Sequence, residues 1–249
     1  MFQQPNNRKV ALITGGGTGI GRAVSLTLAA QKVDLAINYS RSEKDALDTV
    51  AEIEKTGGRA IAVRANVAKD GEVRRMIQKT VDHWGRLDYV VNCAGTTVYV
   101  DMPDLEGLTS EIWDQIMDVN VKGLFSVCRA AAPHLKDTRG SIVNITSIAG
   151  ITGIGSSIAY AASKAAAISV TKSLARVLAP EVRVNSVAPG IVMTRWVEGR
   201  EAHVRKLGDH TPLGRCCNPE DVAAVVIPIL VSASMMTGQT VIVDGGAFI

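Results

Sequence analysis

Residues 10–28 read VALITGGGTGIGRAVSLTL, and this stretch decides the fold. Val10–Thr14 is a short apolar run opening on glycine, the pattern of a buried strand. Ile20, Ala23, Val24 and Leu28 then fall at helical spacing. Glycines between a strand and a helix allow a tight turn and let backbone approach a ligand. The helix N-terminus adds free N–H groups and a partial positive charge, which together suit a pyrophosphate. Taken on spacing alone, the run is equally an ordinary glycine turn; its place between strand and helix is what favours the cradle. The spacing is G-x-x-x-G-x-G, set by Gly15, Gly19 and Gly21, rather than G-x-G-x-x-G.

Outward from this stretch the same alternation repeats. Strands are predicted at 35–38, 61–63, 89–92, 141–146, 182–187 and 240–244, with helical patterns at 43–55, 71–84, 110–135, 159–178 and 219–231. The last helix has a readable start, with Asn218 as N-cap, Pro219 at the first position and Glu220 and Asp221 in the first turn. Apolar strands alternating with helices specify an α/β fold: one Rossmann-type doubly wound domain over residues 1–249, with a seven-stranded parallel sheet and helices on both faces. Residues 190–219 fit the alternation worst. An irregular insert of that length is usually functional, and it reads as a substrate-covering lobe.

Composition narrows the function classes. The 249 residues carry 27 basic and 24 acidic side chains, net +3, with 47% apolar residues. That balance gives no reason to expect nucleic acid or an anionic membrane as partner. The apolar stretch at 222–236 is shorter than the roughly 20 residues that span a bilayer. The first eight residues are polar and show no signal-peptide pattern. Cys93, Cys128, Cys216 and Cys217 have neither zinc nor disulfide spacing, and the four histidines are scattered. Reduced thiols, no metal site and a cytoplasmic location are the expectations.

Two constellations carry chemistry. After the second strand the chain reads Asn38-Tyr39-Ser40-Arg41, without the carboxylate that would bind an adenosine ribose 2′-OH. An arginine with a hydroxyl would instead hold a 2′-phosphate, so NADP(H) is expected over NAD(H); the other reading is a solvated loop charge at Arg41. Tyr160 and Lys164 lie four apart on a helix and share a face, as many chance pairs do. A phenol titrates near ~10, and a neighbouring ammonium would lower that value. Ser147 follows the fifth strand at its carboxyl end, where ligands of open parallel sheets bind. Asn120 lies within the 110–135 tract, where asparagine is mildly unfavourable; it is either functional or solvent-facing.

With these residues in place, the chain resembles the short-chain dehydrogenase/reductase family over nearly its whole length. The elements carrying the resemblance are Thr14-Gly15-x-x-x-Gly19-Ile20-Gly21, Asn92-Cys93-Ala94-Gly95, Asn120, Ser147, Tyr160-x-x-x-Lys164, Pro189-Gly190-x-Val192-x-Thr194 and Val243-Asp244-Gly245-Gly246. The resemblance implies that Tyr160 donates a proton to a carbonyl oxygen and that Ser147 hydrogen-bonds that oxygen. It implies that Lys164 binds the nicotinamide ribose and tunes Tyr160, and that Asn120 holds a water of a proton relay. The implied cofactor residues are Gly15, Gly17, Thr18, Gly19, Ile20, Tyr39, Ser40, Arg41, Asn66, Val67, Asn92, Ala94, Gly95, Pro189, Gly190, Val192 and Thr194, besides Tyr160 and Lys164. Cys93 stands where the family has a second asparagine, and Asn66 where it has an aspartate. An amide carbonyl at Asn66 can still accept from adenine.

Within the family the chain looks most like 3-oxoacyl-acyl-carrier-protein reductases. That implies reversible NADPH-dependent reduction of a 3-oxoacyl thioester or similar hydrophobic ketone, by a homotetramer. A broad carbonyl reductase, a polyol or sugar dehydrogenase using NAD(P), and a non-catalytic dinucleotide sensor are the alternatives. Met102, Trp196 and Val197 either line an apolar pocket or serve as core or subunit contacts.

Overall fold

A computed structural model describes residues 8–199 and 201–248. The chain alternates as β1 (Val10–Thr14), α1 (Gly19–Ala30), β2 (Asp34–Tyr39), α2 (Glu43–Lys55), β3 (Ala60–Arg64), α3 (Asp70–Trp84) and β4 (Tyr89–Asn92). There follow α4 (Ser110–Met117), a π-helical turn (Asp118–Gly123), α5 (Leu124–Thr138), β5 (Ser141–Ile145), a short α6 (Ala149–Thr152), α7 (Ile158–Leu178) and β6 (Arg183–Pro189). A 3₁₀ turn (Arg195–Val197), α8 (Glu201–Asp209), α9 (Pro219–Val231) and β7 (Thr240–Val243) complete it.

All seven strands are parallel, in the order β3-β2-β1-β4-β5-β6-β7, as the alternation predicts. The order reverses between β1 and β4, which pair with Thr14 opposite Asn92. A crevice opens at such a reversal, beyond the carboxyl ends of the strands.

The inner strand β1 is apolar on both sides because each side is covered. Val10 and Leu12 of β1 join the core under α3, α5 and α7, where Met76, Val127 and Ala167 pack. Ala11 and Ile13 point the other way, to Val24 of α1, Ile53 of α2 and Val226 of α9. The two-residue period of a strand makes this division. Local signals set the helix ends: Gly85 stops α3 at φ 78°, and the Asp221 carboxylate accepts the Asn218 N–H at the start of α9 (2.7 Å).

The structure departs from expectation in two places. The 110–135 tract is two α-helices joined by a π-helical turn, and it runs on to Thr138. The 190–219 insert is more ordered than an irregular lobe. It holds the 3₁₀ turn and α8, and a parallel bridge between Val192 and Cys217 ties its two ends. Ala202, Val204 and Leu207 are the apolar residues of α8, too sparse a pattern to announce a helix.

Candidate active site

The crevice begins at the glycine turn. Thr14 Oγ1 accepts the N–H groups of Cys93 (3.0 Å) and Ala94 (3.1 Å), clamping the end of β4 to the end of β1. Buried Asn38 holds the turn from the other side. Its carbonyl accepts from Gly16 (3.1 Å), and its Nδ2 donates to Val63 (3.2 Å) and Ala65 (3.0 Å). The turn leaves no room for side chains. A Cβ at Gly17 would lie 2.7 Å from Ala46 Cα, and one at Gly21 would lie 2.3 Å from the Gly15 carbonyl. Among the described residues, the N–H groups of Gly17, Thr18, Gly19 and Ile20 have no partner. Unpaired donors on a closely packed glycine turn at the N-terminus of a 12-residue helix fit a pyrophosphate.

At the adenosine end the Tyr39 hydroxyl donates to Glu43 (2.6 Å), and that bond raises the phenol above its usual value. Glu43 is a carboxylate the sequence reading of this corner did not weigh. Ser40 and Arg41 are exposed, and Arg41 has no partner among the described residues. The Asn66 side-chain carbonyl accepts from Ala68 N–H (3.0 Å) and keeps a second lone pair. Val67 packs its side chain into the core instead, 6% exposed. The Asn92 carboxamide also turns inward, donating to Asn144 (2.9 Å) and Cys128 (3.2 Å); what it offers the crevice is backbone.

The opposite end gathers the titratable groups. Ser157 caps α7 by accepting from Tyr160 N–H (3.2 Å), which fixes where Tyr160 leaves the helix. Lys164 follows one turn later, 6% exposed, with Nζ donating to the Ile145 carbonyl (2.9 Å) and lying 5.6 Å from the Tyr160 ring centroid. Burial brings the ammonium down to about 8. Burial pushes the Tyr160 phenol up to about 12, against a contact with the Ser147 hydroxyl that favours its phenolate. The expectation that Lys164 lowers Tyr160 is not met here: desolvation raises the phenol, and the opposing contact is the Ser147 hydroxyl rather than the ammonium. The phenol holds its proton at neutral pH, the form a proton donor needs.

Asn120 is 2% exposed, which removes the solvent-facing alternative. Its Oδ1 accepts from Thr96 N–H (2.8 Å), and its Nδ2 donates to the Thr96 carbonyl (2.9 Å) and Ser163 Oγ (3.0 Å). Ser163 in turn donates to the Tyr160 carbonyl (2.7 Å). The amide thus locks the 96 loop to α7 beside the phenol. Thr96, Ser163 and Asn38 are positioning residues to which the sequence reading gave no role; Asn38 was quoted there only for the missing carboxylate, Ser163 lies inside the Tyr160–Lys164 tract, and Thr96 had no local signal.

Gly95 floors the site. A Cβ there would stand 3.5 Å from Asn120 Oδ1, 3.6 Å from the Trp196 ring and 3.8 Å from Lys164 Nζ. Pro189 accepts from Ile148 N–H (3.0 Å) and steadies the loop that carries Ser147. Gly190 packs against Asp244, and Val192 bridges to Cys217. Thr194 brings its methyl group to the open side of Gly19 and accepts from Trp196 N–H (3.3 Å). Trp196 meets Tyr160 edge to face at 6.1 Å, and the Tyr99 hydroxyl donates to its carbonyl (3.1 Å). Val197 is buried, while Met102 and Trp196 remain open to solvent. The half-buried Cys93 thiol, pushed up to about 12 by desolvation, feels the Lys164 charge and the Gly21 N–H.

Among the described residues no cluster of histidine, cysteine, aspartate or glutamate could hold a metal ion, and no helix is long and apolar enough to cross a membrane. Comparison with known proteins agrees with this geometry. A family model described as Enoyl-(Acyl carrier protein) reductase matches residues 15–247. The chain is 40% identical over 242 residues to a 3-oxoacyl-acyl-carrier-protein reductase of Synechocystis sp., covering 96% of each chain. It is 36% identical over 247 residues to the protein of that name from Staphylococcus epidermidis, covering 96% of this chain and 99% of that one. A crystal structure of a dehydrogenase/reductase from Sinorhizobium meliloti 1021 superposes with TM-score 0.89 at 34% identity, over 97% of this chain and 95% of that one. The chain belongs to the short-chain dehydrogenase/reductase family and is an oxidoreductase of CH–OH and C=O groups.

Proposed function

We propose that this protein reduces a 3-oxoacyl thioester, or a hydrophobic ketone of that kind, reversibly to the secondary alcohol with NADPH. The observation that carries the reading is one protonated, half-buried phenol. Tyr160 stands beside the Ser147 hydroxyl, one helical turn from a buried ammonium, at the end of a crevice whose other end is a glycine cradle. The nicotinamide, when bound, supplies the hydride that adds to the carbonyl carbon. Tyr160 Oη gives its proton to the carbonyl oxygen as the C–O double bond becomes single. Ser147 positions and polarises that oxygen. Lys164 holds positive charge next to the phenolate that results, and it binds the ribose. Asn120, held against Thr96 and Ser163, keeps the 96 loop and α7 in register and serves the relay that restores the proton.

The glycine turn takes the pyrophosphate, and Arg41 with Ser40 supports a 2′-phosphate. Met102 and Ile154 are exposed on the two loops that the Val100–Ser156 backbone bond (3.0 Å) joins near Tyr160, a mouth suited to an acyl chain. The four free cysteines suit a reducing, cytoplasmic setting. Strand β7 is paired on one side only, with Ile242, Met235 and Val177 exposed nearby or on α7. That supports subunit packing, and light scattering should give the mass of four chains.

The test is a substrate panel with NADPH and NADH, followed at the nicotinamide absorbance. The expected outcome is turnover of 3-oxoacyl thioesters with NADPH. Faster oxidation of polyols or sugars would replace the reading with a dehydrogenase, and binding without turnover of any substrate would replace it with a sensor.

A further inference from the structure

We infer that Arg195 determines specificity for the 2′-phosphate of the dinucleotide, reaching it from the substrate lobe rather than from the β2–α2 turn. The inference rests on the NADP(H) reading above and adds a residue to it. Arg195 opens the 3₁₀ turn that crosses the crevice. Thr194 before it packs on Gly19, and Trp196 after it packs on Tyr160. Its guanidinium extends to the far lip, where Nη1 donates to Ser42 Oγ (3.0 Å) and pairs with Asp45 (3.4 Å), 153 and 150 positions away in sequence.

Three features make this a ligand contact rather than a finished structural clasp. The Asp45 pair is long, and its side chains are 52% and 48% exposed, so it is a weak pair that a dianion can displace. Only Nη1 is engaged; among the described residues Nε and Nη2 have no partner, leaving a fork free for two phosphate oxygens. Ser42 occupies the N-cap of α2 without making a side-chain cap bond, so its hydroxyl can turn to a ligand.

The charges around this point also balance. Arg41, next to Ser42, has no partner among the described residues, and Arg64 acts on Tyr39. Of the two carboxylates at the corner, Glu43 is held by Tyr39 and Asp45 by Arg195 itself. A 2′-phosphate seated between Arg41 and Arg195 takes up the unpaired Arg41 and the open fork of Arg195, in place of its weak pair with Asp45. Because Arg195 sits between Thr194 and Trp196, the same contact holds the strap closed over the crevice.

Calorimetric titration with 2′,5′-adenosine bisphosphate and with 5′-AMP tests this without any turnover. The expected result is that Arg195→Gln weakens the bisphosphate about tenfold or more while changing 5′-AMP less than about twofold, with Arg195→Lys in between. Retained 5′-AMP binding shows that the variant is folded. Equal loss of both probes reduces Arg195 to a clasp, and unchanged bisphosphate affinity removes it from the site; either overturns the inference. If wild type prefers the bisphosphate and only Arg41→Gln abolishes that preference, the cofactor reading survives and this inference does not. If wild type shows no preference, both fall.

Discussion

Lys164 keeps a charge inside the protein, and that has a sign that can be checked against pH. Burial brings its pKa down to about 8, below the ~10.4 of a free lysine. Below pH 8 both folded and unfolded chains carry the proton, and the folded chain bears the cost. Between about 8 and 10.4 the unfolded chain holds a proton that the folded chain has released, so this group's contribution to stability improves as pH rises. Tyr160 runs the opposite way. Its value of about 12 means that its contribution is present below ~10 and is lost as pH rises towards 12. For catalysis the Lys164 side is the one that falls within reach. Carbonyl reduction should show kcat/KM for the cofactor, which reports the free enzyme, declining with an apparent pKa of about 8, and Lys164→Arg should move that limb upward. A profile flat to pH 9.5 would contradict the assignment. The pairing of Tyr160 with Lys164 was legible from four-residue spacing. The dominance of desolvation was not, because the groups that close around the site, Gly95 and Trp196 among them, come from segments that spacing does not bring together.

Elements position these groups, and some of the contacts are between backbones. A Cβ at Gly150 would lie 2.5 Å from the Lys164 carbonyl carbon and 2.6 Å from Ala165 N, so α6 touches α7 at Lys164 itself. Gly150→Ala must push the two helices apart and carry Ser147 away from Tyr160. Overpacking of this kind costs about 1–3 kcal/mol, and a misplacement near 1 Å costs about 10²-fold in rate. We therefore expect kcat to fall about 10- to 100-fold while the cofactor Kd stays within about twofold, read by steady-state kinetics and fluorescence titration. Helices with end signals were legible: α9 starts at Asn218 and Pro219 as read. The π-helical turn was not, because Asn120 is held there by Thr96 and Ser163, contacts between segments 24 and 43 residues apart. The lobe was recognised as an exception to the alternation, but Arg195 reaching Ser42 has no local trace.

Across the whole molecule, site and support occupy opposite edges of one sheet. The functional residues gather at the carboxyl ends of β1, β4, β5 and β6. The amino ends of β1 and β4 are tied by Asp88, 1% exposed, which accepts from Lys9 (2.9 Å), Val10 N–H (2.9 Å) and Arg86 (2.6 Å). Burial alone would raise this carboxyl, but Arg86, Lys9 and Val10 together hold it below its ordinary value. Its contribution is present above the unfolded value of ~3.9 and is lost as pH falls through the depressed folded value. Asp88→Asn should cost about 2 kcal/mol in urea denaturation, less than the ~3–5 of a fully buried pair because both cations reach solvent. The kcat should not change, since the site lies at the other edge. A parallel sheet with two covered faces was legible because apolar strands alternate with helices; the strand order was not, since pairing is set between segments far apart in sequence.

The central claim is that Tyr160 hands over the proton. Tyr160→Phe removes one oxygen and leaves the ring against Trp196, so it isolates that step. Measured side by side, NADPH affinity should stay within about twofold of wild type while kcat for ketone reduction falls about 10²- to 10⁴-fold. Turnover by the phenylalanine variant equal to that of the wild type would contradict the account.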